Sequence, residues 1–397
     1  MCLCINSMSY TLREQSLEKL KNFIDSGLQS YSSKRNYDFG PSNRSNISFL
    51  SPYIRKRILH EKEVINKCLE HFNLNKIEKF IQEVFWRVYW KGWLEGRSKV
   101  WREYKKNLES FLAEYSLGEK KNNYYMALDG KTGIDCFDDW VKELKSYGYL
   151  HNHSRMWFAS IWIHTLQLPW ELGANFFLKN LIDGDPASNT LSWRWVAGLH
   201  TQGKCYVASE DNIKKFSNGR YSQKNILNKQ IKMPVFQSFM FEKKEYNSQQ
   251  FSKKNNLILL NINNLSYLDE TLEIMKENSI CFIDHAEVYE YSDLPKKFNK
   301  NSMDEYLIFL KDKKIEFKNF TTFENFFKFY EKSEFNEIFT FYPSIGYELD
   351  YLNLHFKKYN VNLNFIYDNF DKLCWEYASS GFFKFKSQIP HFISKIN

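Results

Sequence analysis

Three short stretches carry side chains that could do chemistry together. In QEVFWRVYW (82–90), Glu83, Trp86, Arg87 and Trp90 recur at i, i+3, i+4 and i+7, so a carboxylate, two indoles and a guanidinium share one helix face. In HNHSRM (151–156), Asn152, Arg155 and Met156 repeat that spacing. In DGDPASNTLSWRW (183–195), Asp183 and Asp185 precede a proline suited to a first helical turn, and Asn189 and Trp193 follow four residues apart. A guanidinium binds anionic oxygens and indoles stack on flat rings. Polar groups on otherwise aromatic faces need partners, because burying one without a partner costs about 2 to 7 kcal/mol. An ordinary core with satisfied ion pairs, such as Arg155 with an aspartate, accounts for any one cluster as well as a ligand does. All three together favour a ligand.

Two other motifs carry less. Gly130-Lys131-Thr132 ends like a phosphate loop, but the glycine required five positions earlier is Tyr125. His151-Asn152-His153 lacks a second histidine or cysteine pair at ligand spacing, so no metal is expected.

The elements that must position these residues divide the chain in two. Apolar residues at three- and four-residue spacing predict helices over 12–23, 51–72, 77–94 and 140–177, separated by polar loops at 34–46 and 118–123. The expected helical domain is 1–241, and 242–256 reads as a polar linker. From 257 to 397 short β-rich runs at 257–262, 279–284, 314–320, 336–342 and 361–367 alternate with helical patterns at 269–275, 303–310, 323–330 and 347–359. That alternation predicts a smaller Rossmann-like α/β domain with a parallel sheet. No G-x-G-x-x-G follows its first strand, so a dinucleotide site there is not supported.

Composition narrows the class. With 43% hydrophobic and 26% charged residues a folded chain is expected, and Gly 15 with Pro 8 excludes collagen-like repeats. Ten of the eleven tryptophans fall between Trp86 and Trp195, with Trp375 the outlier. Residues 1–250 carry 37 Lys+Arg against 26 Asp+Glu and residues 251–397 carry 18 against 21, so a polyanion would meet the front part. A Lys-rich solubilising surface explains the charge equally well. Seven cysteines without paired spacing, and a start (MCLCINSMSYTL) without a leader pattern, lead to the expectation of a cytoplasmic, reduced protein. The most apolar stretch, 156–170, is interrupted by His164 and Gln167 and is too short to span a bilayer.

The segments SNISFLSPYI (45–54), GYLHNHSRMWFASIW (148–162) and LPWELGANFFLKNLIDGDPASNTLSWRWVAG (168–198) resemble the FAD-binding helical domain of the cryptochrome/photolyase family, from about Tyr31 to about Arg220. The resemblance implies an FAD site. Ser48, Leu50 and Ser51 match a flavin-phosphate turn, with Tyr31 upstream as a weaker match, and Arg87 matches an arginine near the diphosphate. Asn152, Arg155, Asp183, Asp185 and Asn189 match residues around the flavin ring, with an Arg155–Asp183 pair and Asn189 facing the reactive nitrogen. Animal cryptochromes typically carry cysteine at that last position and plant ones aspartate, so Asn189 leans toward repair.

Glu83, Trp86, Met156 and Trp195 match the pocket that receives a flipped pyrimidine dimer, and Asn152 with Met156 stand where six-four photolyases have histidines. The resemblance thus implies light-driven repair of cyclobutane dimers, with damaged DNA as partner and Glu83, Asn152, Asn189, Trp193 and Trp170 in catalytic roles. Trp193 and Trp170 match the inner and middle members of an electron-transfer chain; for the outer member only Tyr115, Tyr124 and Tyr125 are near, and Trp157 and Trp162 read as packing. The alternative is a cryptochrome-like blue-light receptor using the same flavin and relay. Family members carry an α/β antenna domain ahead of the helical one, so the α/β segment here reads as a permuted antenna-like domain or an unrelated appendage, its chromophore open. A monomer without membrane association is expected.

Overall fold

The computed structural model describes residues 10–117, 120–228, 231, 234–246, 255–284 and 288–396. The start of the chain, Gly118 and Glu119 of the polar loop, and the middle of the linker lie outside them. The helical part comprises α1 (Leu12–Ser26), α2 (Tyr31–Lys34), α3 (Ser51–Arg55), α4 (Glu61–His71), α5 (Leu74–Glu95), α6 (Ser98–Tyr115) and α7 (Lys120–Asp129). It continues with α8 (Asp135–Tyr147), α9 (Asn152–Ser160), a π-turn (Ile161–Thr165), α10 (Trp170–Asn180), α11 (Pro186–Val196) and α12 (Glu210–Phe216).

Three helical expectations are corrected, each by a local backbone cause. The helix predicted over 51–72 is two helices, because Arg57 adopts φ 57° and His60 turns extended to cap α4. That over 140–177 breaks at Gly148, whose φ of 63° ends α8, and again at Gln167 (φ 53°) before Pro169. The loop predicted over 118–123 is helical from Lys120, a polar helix in which only Tyr124 and Ala127 are buried. Hydrophilic composition marked an exposed face there, not a loop.

The α/β part runs β1 (Leu257–Leu259), α13 (Asp269–Lys276), β2 (Ser279–Ile283), α14 (Asp293–Asp312), β3 (Phe317–Phe320), α15 (Phe323–Glu331), β4 (Ile338–Phe341), α16 (Tyr347–Lys358) and β5 (Leu363–Ile366). The chain then adds α17 (Asn369–Trp375), α18 (Phe382–Lys386) and α19 (Ile389–Ile396). The strands form one parallel sheet in the order β3-β2-β1-β4-β5, with Leu257 registered between Ser279 and Ile338. Every residue of β1 and β4 is buried, as a central parallel strand covered on both faces requires. The helical pattern at 303–310 is the end of a longer helix, α14, which tolerates Pro295 because it lies in the first turn.

The carboxyl edge of this sheet packs on the helical domain. After β1, Leu265 N–H donates to the Lys56 carbonyl (2.8 Å); after β2, Ser292 N–H donates to Lys179 (2.8 Å). After β4, Tyr342 Oη and Ile345 N–H both donate to the carboxylate of Glu95, at 2.7 and 2.9 Å. After β5, Arg57 reaches Asp368 at 2.8 Å and also pairs with Asp371 on α17. Gly92 lets α5 and α17 meet, since a Cβ there would stand 2.5 Å from Cδ1 of Trp375. Glu242 N–H donates to Gly96, and Lys244 pairs with Glu95, so the described start of the linker lies against α5.

The ionic seam is largely buried, with Asp368 keeping some exposure. Burial by itself would push the Glu61 and Asp368 carboxyls up, yet Arg57 and its cationic neighbours hold Glu61 down at about 2 and Asp368 well below the usual carboxylate range. Removing one partner of such a set strands the others. Arg57→Ala should therefore destabilise the protein by about 3 to 5 kcal/mol, measured by urea denaturation, with Arg57→Lys losing less.

Candidate functional site

Asp183 lies in the loop after α10 and holds two of the expected residues together. Its Oδ2 accepts from Arg155 Nη2 (2.9 Å) on α9 and from Ser51 Oγ (2.6 Å) at the start of α3. Arg155 Nε donates to the Leu150 carbonyl, and its guanidinium lies 4.8 Å from the centre of the Tyr149 ring. Leu50 is buried, and the turn before α3 carries Phe49 at φ 53°, wedged edge-on against Tyr149. Ser48 is half-buried in that turn.

Asp185 caps α11. It accepts from Ser188 N–H (2.8 Å) and Ser188 Oγ (2.6 Å), an arrangement the D-x-x-S spacing allows. Burial would raise its pKa, but Arg87, Arg55 and Lys91 hold it far below the ordinary carboxylate value. One turn on, Asn189 is buried and its Nδ2 donates to the Ala174 carbonyl (2.9 Å), which fixes the orientation of the amide. Arg87 on α5 stands 3.9 Å from both Asp185 and Glu61. Its Nε and Nη2, and Oδ1 of Asp183, are buried without a hydrogen-bond partner among the described residues. Asn152 is exposed at the first turn of α9. Tyr31, half-buried, packs edge-on against Phe23 and Phe80.

The expected pocket residues lie on half-buried surface. Glu83 pairs with Arg35 (2.6 Å), and burial raises its pKa against the opposing pull of Arg35. Trp86 stacks on Phe382 of α18, ring centres 3.5 Å apart and planes 12° from parallel. Trp195 stacks on Tyr206 (5.4 Å), and Met156 is half-buried on α9.

Trp162, read from the sequence as packing, stands in a run of ring contacts that reaches the surface. Trp193 meets Trp162 edge-on at 6.3 Å; Trp162 meets Tyr124 at 6.1 Å; Tyr124 meets Tyr125 at 5.6 Å, and Tyr125 is exposed. The ring neighbour of Trp170 is Tyr104, at 5.5 Å. Trp162 sits in the π-turn, and Gly173 lets Trp193 approach, because a Cβ there would lie 2.3 Å from its Cη2. The sequence did not single out these ring contacts, because a lone indole in an apolar helix looks like core; the nearby Gly173 was the available signal.

Residues 80–242 match the FAD binding domain of DNA photolyase. The deoxyribodipyrimidine photo-lyase of Agrobacterium fabrum is 31% identical over 192 residues, 46% of this chain and 37% of that protein. That of Buchnera aphidicola subsp. Acyrthosiphon pisum is 28% identical over 240 residues, 56% of this chain and 48% of that protein. A bacterial class III photolyase structure from Agrobacterium tumefaciens aligns at 27% identity with a TM-score of 0.44, covering 52% of this chain and 42% of that one.

The helical part, over residues 80–242, is thus similar to the FAD-binding domain of DNA photolyases.

The chain spans less than half the length of these curated relatives. The residues present fit a flavin through hydrogen-bonding groups left without partners: Arg87 offers buried N–H groups to anionic oxygens, and Asp183 a buried acceptor to a donor. Among the described residues no helix is long and apolar enough to cross a membrane.

His200, flanked by Trp90 (4.8 Å) and Trp93 (4.9 Å), gives this photolyase-type domain a testable pH dependence. Burial, reinforced by Arg194 and Arg97, lowers its pKa to about 4, so the unfolded chain binds a proton that the folded one refuses between about pH 6.5 and that value. Stability from this group is complete above about pH 6.5 and is lost as pH falls. In His200→Gln, thermal denaturation should show an acid-side loss between pH 7 and 4.5 smaller than in the parent, by about 1 to 3 kcal/mol.

Proposed function

We propose that this chain binds FAD and repairs cyclobutane pyrimidine dimers in DNA under light. The observation that carries the reading is the pair of buried, unpartnered groups on Arg87 and Asp183 inside a domain matched to the FAD-binding domain of DNA photolyase. Reduced FAD, when bound, supplies a photoexcited electron for splitting the dimer.

The chain's own residues orient the reactants and handle charge. Arg87 takes the diphosphate, with Ser48, Leu50 and Ser51 at the phosphate turn and Tyr31 in the shell behind. Arg155, anchored by Asp183, holds a positive charge at the ring, and Asn189, anchored by Ala174, presents its free amide oxygen. Asp185 secures the first turn of the helix that carries Asn189, and Asn152 lines the open side. Trp86 and Trp195 stack on the extruded dimer beside Met156. Glu83, whose raised pKa makes its protonated form more accessible, can donate from its carboxyl to a thymine carbonyl. Trp193 passes oxidising equivalents outward through Trp162 to Tyr124 and Tyr125, where an external thiol can refill the hole; Trp170 with Tyr104 is the competing branch.

The deciding experiment assays purified, photoreduced protein for loss of thymine dimers under blue light. Repair is expected; bound FAD without repair would leave the blue-light receptor as the better reading. Glu83→Ala should lower repair about 10- to 100-fold while FAD stoichiometry holds. Trp193→Phe and Trp162→Phe should each slow photoreduction in the presence of thiol, measured by flavin absorbance; a normal rate in Trp162→Phe alone would assign the traffic to Trp170.

A further inference from the structure

Helix α18 does more than close the α/β domain. It is held on α5 at both ends: Tyr89 Oη and Arg97 Nη2 donate to the carbonyls of Ser380 (2.9 Å) and Ser379 (2.7 Å) just before it, and its last residue, Lys386, pairs with Glu78 (3.1 Å). Phe382 and Phe385 point into the core between these anchors. Phe382 covers one face of Trp86 in a near-parallel stack and meets Tyr89 edge-on. The next residue, Phe383, is 88% exposed, and Lys384 beside it is exposed as well.

A phenyl ring left in water on a firmly held helix costs solvation and gains no packing, so its neighbours matter. They are Trp86, through Phe382, and a basic side chain. On α5 itself Lys79 is exposed one turn before Glu83. An exposed aromatic ring followed by an exposed lysine, one residue from the ring that stacks on the indole proposed to take the flipped base, suits a single nucleic-acid strand: the ring stacks on a base and the lysine neutralises a phosphate.

We propose that α18 is a second nucleic-acid contact, supplied by the α/β domain, in which Phe383 stacks on a base flanking the lesion and Lys384 meets the adjoining phosphate. Phe382 is a positioning residue that fixes the plane of Trp86. The inference rests on the repair reading and deepens it, giving the α/β domain a role in substrate binding.

The test uses the FAD-loaded full chain with two ligands, a lesion-bearing oligonucleotide and an isolated thymine dinucleotide dimer, which has no flanking base. In the dark, Phe383→Ala should bind the oligonucleotide about tenfold more weakly by fluorescence anisotropy, with a much smaller change for the dinucleotide. Lys384→Ala should lower the slope of log affinity against log salt by about one. Phe382→Ala should weaken both ligands, and Phe382→Tyr should restore them. Oligonucleotide binding by Phe383→Ala and Lys384→Ala equal to the parent's, in a parent that repairs both ligands, would overturn the inference and leave the repair reading intact. A parent that repairs neither ligand would overturn the repair reading and the inference with it.

Discussion

Helix α5 has to bury cations, and the arrangement of both domains follows from where their counter-charges come from. Arg87 and Lys91 on this helix, with Arg55, Lys56 and Arg57 on the segment before α4, are largely or wholly removed from water. Glu61 and Asp185 answer them from the helical domain, and Asp368 and Asp371 from the α/β domain. Isolated charges at that depth would cost several kcal/mol each, so neither half satisfies the set alone. The docking of the sheet is therefore electrostatically specified as well as packed.

That docking uses the part of a doubly wound sheet where ligands ordinarily sit, outside the carboxyl ends of the strands at the switch point. Here the switch lies between β1 and β4, and the loop after β4 wraps the carboxylate of Glu95 with a tyrosine hydroxyl and a backbone amide. Gly346, in extended backbone at the start of α16, lets that loop press on Pro186, which a Cβ would approach to 2.7 Å. Pro186 is the first residue of α11, the helix that carries Asn189 and Trp193. The loop after β4 thus bears on the same helix that carries Asn189 and Trp193.

Much of this was legible beforehand. All five strands fall within the β-rich runs, because buried parallel strands are short apolar stretches between helical patterns. The Arg155–Asp183 pair exists as expected, and Asp185 caps its helix as the D-x-x-S spacing implies. Helix ends were less legible, because Arg57 and Gln167 adopt left-handed backbone that neither residue type advertises. The ring contacts of Tyr31 with Phe23 and Phe80 depend on how α1, α2 and α5 cross, which no local pattern shows.

The sequence by itself determined the order of elements, the chemistry available on α5, α9 and α11, and the likeness of the helical part to a photolyase FAD-binding domain, since each is written in local spacing and residue type. Only the tertiary structure decided that Phe382 would cover Trp86, that Trp162 would link Trp193 to Tyr124, and that Arg57 would find its carboxylates more than three hundred residues away. The physical reason is common to all three. Stacking, ring-to-ring contact and ion pairing act over a few ångströms, and nothing in local periodicity says which distant side chains will come that close.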